Sequence, residues 1–95
     1  MRFIMNSGDT VRLSAVFKDW AGDLVNPDNV RVKIYDARQQ EVTSAYLGEQ
    51  NRSSLGHYFW FYTPQIEGFF IYEFSGELDG NTVLRRRDCE VKFVI

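Results

Sequence analysis

Alternation of apolar and polar residues with a period of two runs through most of the chain, and it restricts the chain to strands with one buried face each. Thr10 to Lys18 reads TVRLSAVFK: Val11, Leu13, Ala15 and Phe17 point one way, Arg12, Ser14, Val16 and Lys18 the other. Val30, Val32 and Ile34 alternate with Arg31, Lys33 and Tyr35. Near the end, Cys89, Val91 and Phe93 alternate with Asp88, Glu90, Lys92 and Val94. No segment sustains the 3.6-residue period that a helix needs to bury one stripe.

The runs are separated by turn chemistry. Asp19-Trp20-Ala21-Gly22-Asp23 and Asn26-Pro27-Asp28-Asn29 break the chain early, and Asp36 to Gln40 is polar enough for a hairpin loop. Asp79-Gly80 between two alternating runs is the strongest turn signal and predicts a tight hairpin. Strands are thus expected at Arg2–Met5, Thr10–Lys18, Val30–Tyr35, Val42–Leu47, His57–Thr63, Phe69–Ser75 and Val83–Val94, with a polar loop from Gly48 to Ser54. Seven short strands in 95 residues predict one all-β domain, residues 1–95, folded as a seven-stranded antiparallel sandwich of two sheets.

The aromatic share of 16% gives so small a domain a core of high area per residue. Alternation assigns that core to Leu13, Phe17, Val32, Ile34, Trp60, Tyr62, Phe70, Tyr72, Phe74, Val91 and Phe93. It sends Phe59 and Phe61 to the opposite face of their strand, and Phe69 and Ile71 outward beside Glu73. These four residues, with Trp20 in an early turn, are the candidate interaction surface, because exposed aromatic clusters mark contact sites. The two strands that carry them need not be neighbours, since the fifth and sixth strands of a sandwich often lie in different sheets. Residues from Tyr58 to Tyr62 are all aromatic, which gives the least help in telling the two faces apart.

Gly8-Asp9-Thr10-Val11-Arg12-Leu13, then Asp19 and Gly22 before a strand ending Ile34-Tyr35-Asp36, resembles the front half of bacterial and phage immunoglobulin-like domains. Gly56-His57-Tyr58 through Gly68-Phe69-Phe70-Ile71-Tyr72-Glu73-Phe74 to Leu78-Asp79-Gly80 continues the likeness. It extends over nearly the whole chain and is similar to small stand-alone proteins encoded among the structural genes of tailed phages and prophages. Phe70 and Tyr72 stand where antibody domains have a tyrosine corner and a disulfide cysteine, so the resemblance is to the disulfide-free branch. It implies a non-enzymatic structural or assembly module of a head, neck or tail, with other protein subunits or further copies of itself as partners. The alternative it leaves is a cell-surface adhesion or carbohydrate-binding module, in which Trp20, Tyr35 or Tyr46 would stack on sugar rings.

Candidate chemistry is thin. His57 is the one histidine, and Ser53 and Ser54 lie in a loop without a catalytic motif, so no nucleophile–base pair can be assembled and no enzyme is expected. Asp19, Asp23, Asp28 and Asp36 match no calcium-loop spacing and read as turn formers; no metal and no cofactor are expected. Arg85-Arg86-Arg87 cannot form one flat patch on a strand, and with a net charge of −2 neither nucleic acid nor an anionic membrane is an expected partner. The basic run reads instead as a solvated or edge-protecting strand end. Cys89 reads as a small buried residue, and as the one cysteine it excludes an intrachain disulfide. Asn51-Arg52-Ser53 has the form of a glycosylation acceptor. The apolar stretch at Phe3-Ile4-Met5 is too short for a signal-peptide core, so the chain is expected to be made in the cytoplasm without an export signal, with the virion as a destination, or else to have had such a signal removed.

Overall fold

Each alternating run pairs into one of two sheets. The computed structural model describes residues 1–94, and among them eight strands: β1 Arg2–Met5, β2 Val11–Val16, β3 Asp28–Asp36, β4 Glu41–Tyr46, β5 Arg52–Ser54, β6 His57–Tyr62, β7 Gly68–Leu78 and β8 Asn81–Phe93. A five-stranded sheet has the order β1-β8-β7-β3-β4, and a three-stranded sheet the order β2-β6-β5. The chain therefore crosses between sheets after β1, β2, β4 and β6.

Two expectations about the strands are corrected. Eight strands replace seven: the supposed polar loop after Gly48 holds a 3₁₀ turn at Glu49–Asn51 and then β5. Arg-Ser-Ser has no alternation to betray it; pairing of Arg52 with Tyr58 and of Ser54 with His57 makes it a strand. The sandwich is also not wholly antiparallel. β1 runs parallel to β8, with Arg2 opposite Glu90 and Met5 opposite Phe93, and the Arg2 and Glu90 side chains lie 3.3 Å apart as an exposed ion pair. A parallel neighbour is possible because the chain leaves β1 for the other sheet through a turn at Asn6–Asp9, where Asp9 N–H donates to the Asn6 carbonyl at 3.0 Å.

The β7–β8 hairpin is longer than its apolar pattern suggested. Its register holds from Gly68 opposite Val91 to Leu78 opposite Asn81, leaving Asp79 and Gly80 as a two-residue turn. Their φ values of 51° and 78° are both positive, as the tight hairpin anticipated from Asp-Gly requires.

Phe17, Val32, Ile34 and Phe74 are fully enclosed between the sheets, with Leu13, Tyr72, Cys89 and Val91 beside them. The Phe17 and Tyr58 rings meet edge to face at 5.7 Å. Trp60, Tyr62 and Phe93, expected within the core, lie at its margin and are half-buried. Three strands cannot cover the whole face of five, which leaves Phe93 near the end of β8 with one side in solvent. Glu73 is the converse case. Alternation places it outward, yet it is buried: its cross-strand neighbours are Lys33 and Arg86, and Arg86 folds over it, donating Nε to Oε2 at 2.9 Å. That hydrogen bond, reinforced by the carboxylate charge, raises the Arg86 guanidinium above its ordinary value.

Candidate interaction surface

Pairing of β2 with β6 fixes which aromatic rings face outward. Leu13 lies opposite Trp60 and Ala15 opposite Tyr58, and partners across a ladder share a face. Since Leu13 and Ala15 are buried, Tyr58, Trp60 and Tyr62 must turn inward, and Phe59 and Phe61 outward. Phe61 is 57% exposed and Phe59 half-buried. Their rings meet edge to face at 5.6 Å and 72°, a favourable aromatic geometry. Arg12 on β2 lays its guanidinium over the Phe59 ring, 4.5 Å from the centroid, so a cation sits within the aromatic patch. Arg12 was missed from the sequence because the contact depends on β2–β6 register, which alternation alone does not supply. Asn51 supports the strand from beneath, donating Nδ2 to the Phe59 carbonyl at 3.3 Å.

The remaining candidate residues lie elsewhere. Because the chain changes sheets between β6 and β7, Phe69 and Ile71 occupy the outer face of the five-stranded sheet, on the opposite side of the sandwich from Phe59 and Phe61. Phe69 is 59% exposed opposite Glu90, while Ile71 is half-buried between Tyr35 and Asp88. A cavity of about 160 Å³ opens beside Phe69, with Val42, Tyr62 and Ile66 in its wall. Trp20 is 70% exposed in the β2–β3 connection. The five residues thus mark three places rather than one patch. Nor do all three rings considered for sugar stacking share one place: Tyr46 is opposite Arg31, and Tyr35 is opposite Glu41 about 13 Å further along β3.

The arginine run divides as strand alternation requires. Arg86 caps Glu73 on the outer face. Arg85 turns to the inner side, where it donates Nε to the Val16 carbonyl at 3.0 Å and Nη1 to the Leu84 carbonyl at 2.9 Å, with its guanidinium 5.4 Å from the Phe17 ring centroid. This is a cap on the exposed edge of β2. Arg87 is exposed on the same side as Arg85.

The other polar candidates are absorbed by local structure. Asp19 Oδ1 accepts from the Ala21 and Asp23 amides, both at 2.9 Å, and Asp36 Oδ1 from the Arg38 and Gln40 amides at 2.8 and 3.0 Å. Both carboxylates organise the turns that contain them. His57 donates Nδ1 to the Leu55 carbonyl at 2.9 Å. Among the described residues no three His, Cys, Asp or Glu side chains converge as a metal centre would need. Cys89 is buried, and desolvation pushes its thiol above its ordinary value. No helix among the described residues is long and apolar enough to cross a membrane. No family model, characterised protein or solved structure matches the chain.

Proposed function

We propose that this chain is an immunoglobulin-like, non-enzymatic assembly module that works through protein–protein contacts in a tailed-phage or prophage particle. Strand order supports the fold reading. In an immunoglobulin sandwich the second, fifth and fourth strands share one sheet, while the third, sixth and seventh share the other. With β4 counted as the additional strand that variable-type domains insert after the third, β2-β6-β5 and β8-β7-β3-β4 follow that arrangement. The placement in a particle rests on the resemblance of the turn glycines and alternating strands to small phage structural proteins.

The observation that carries the contact reading is the outward Phe59–Phe61 pair with Arg12 stacked on it. Both rings keep apolar surface in solvent, Phe61 more than the half-buried Phe59, so covering them releases only part of the roughly 1.5–3 kcal/mol that full burial of each would give. Association itself costs about 4–15 kcal/mol, so the ring pair belongs to a wider interface that takes in neighbouring surface on β2 and β6. Another copy of the chain or a different structural subunit supplies the opposing surface. The carbohydrate-binding alternative has the exposed Trp20 and Tyr46 in its favour, but Tyr35 and Tyr46 lie about 13 Å apart along the β3–β4 pair and offer no shared platform.

Mass spectrometry of purified particles from the source strain, together with the identity of the neighbouring genes, tests the reading. The protein should be present in the particle at stoichiometric level, and portal, terminase or tail genes should flank its own. Its absence from particles, with glycoside-processing genes alongside and binding on a glycan array, would contradict it.

A further inference from the structure

We propose that the free edge of β2 takes up an extended segment of a partner protein that carries acidic side chains two residues apart. The inference deepens the protein-contact reading above and rests on it. Among the described residues, β2 has β6 on one side and no strand on the other. Phe17 N–H donates to the Gly56 carbonyl on the β6 side, while the Val16 carbonyl receives Arg85 from the other side. Backbone groups alternate in direction along a strand, so Arg12, Ser14 and Val16 present theirs to the free edge. An immunoglobulin sandwich of the constant type places its first strand at this position. Here β1 pairs with β8 instead, and the β2 edge stays open.

A groove of about 430 Å³ flanks that edge, bounded by Ser14 to Val16 on one wall and by Arg85 and Arg87 on the other, with Tyr72 in its floor. The charged side chains of its lining are all arginines. Arg86 is committed to Glu73, and among the described residues neither Arg85 nor Arg87 makes an ion pair. This concentration of positive charge stands against a chain of net charge −2, and it selects a negatively charged occupant. The unpaired ladder selects a peptide, because only a polypeptide backbone offers donors and acceptors in the matching alternation. Arg85 and Arg87 lie about 6.6 Å apart along β8, which is the spacing of residues i and i+2 in an added strand.

The test is an NMR titration of the ¹⁵N-labelled chain with a peptide of alternating Glu and Thr, and with its Lys–Thr counterpart. Saturable shifts should centre on the Arg12, Ser14 and Val16 amides, whose solvent exchange should slow. The Lys peptide should bind at least about tenfold more weakly, and Arg87→Glu should weaken the Glu peptide by a similar factor. Ser14→Pro, which removes an outward N–H, should abolish the shifts while leaving core resonances in place. If that variant does not fold, Arg87→Glu still decides, because its side chain is exposed. Absence of saturable shifts at millimolar peptide, or equal binding of the two peptides, would overturn the proposal. So would an oligothymidylate that shifts the same amides more strongly than the Glu peptide. Shifts centred on Phe59 and Phe61 would overturn the edge site while leaving the protein-contact reading intact.

Discussion

Phe74 has no exposed surface and packs its ring edge to face on Tyr72 at 5.9 Å. Its loss cannot be made good by relaxation of two facing sheets, so Phe74→Ala should cost about 3–5 kcal/mol in urea unfolding. For a domain of ordinary stability that is a large part of the whole. Gly56 is constrained differently. Its φ is +75°, and a Cβ there would lie 2.7 Å from the Phe17 carbonyl oxygen and 3.2 Å from that of Val25. Its N–H and carbonyl also hold Asn26 Oδ1 and Phe17 N–H, both at 2.8 Å. Gly56→Ala should therefore destabilise by more than about 1 kcal/mol, from the left-handed backbone and the contact with backbone oxygen together. Cys89 gives a pH signature. Burial raises its folded value, so the unfolded thiol ionises first, near 9.0. Its contribution to stability is complete below that pH and is lost as pH rises above it, where the unfolded state binds fewer protons. Unfolding midpoints should fall between about pH 9 and 10, less so in Cys89→Ala, and alkylation of the native thiol at pH 8 should be far slower than in denaturant.

Strands with a period of two were legible wherever one face is buried and the other solvated, as along β2 and β3. The same rule placed Phe59 and Phe61 outward, although β6 itself carries no polar residue between Tyr58 and Tyr62 to mark a face. Three things were not legible. β5 owes its existence to a hairpin with β6 rather than to its own residues. The parallel seat of β1 depends on which neighbour it reaches after folding. The burial of Glu73 depends on a cross-strand arginine that alternation correctly sends outward but cannot pair. At this scale the β2 edge makes a sharp prediction. Amides of Leu13 and Ala15, which face β6, should exchange slowly with solvent, whereas those of Arg12 and Ser14 should exchange much faster. Uniform protection along β2 would mean that the edge is covered.

Across the whole molecule, two aromatic sites lie on opposite sides of one sandwich, which suits a module that bridges neighbours better than one that closes around a small ligand. Of these, the Phe59–Phe61 face is the more developed, with its two rings and a stacked arginine. The candidate surface was legible only residue by residue, because strand alternation tells which side of its own sheet a ring faces and not which sheet it belongs to. Sedimentation equilibrium on the wild type and on a Phe59→Ser, Phe61→Ser double variant tests the contact reading most directly. Where the opposing surface is another copy of the chain, the wild type should show a mass above that of the monomer that grows with concentration. The double variant should sediment as a folded monomer with an unchanged circular-dichroism spectrum, its unfolding midpoint lowered only modestly by loss of the ring pair and of the Arg12 contact. A wild type that stays monomeric at high concentration would contradict self-association through this face, and a double variant that unfolds would contradict the outward placement of the two rings.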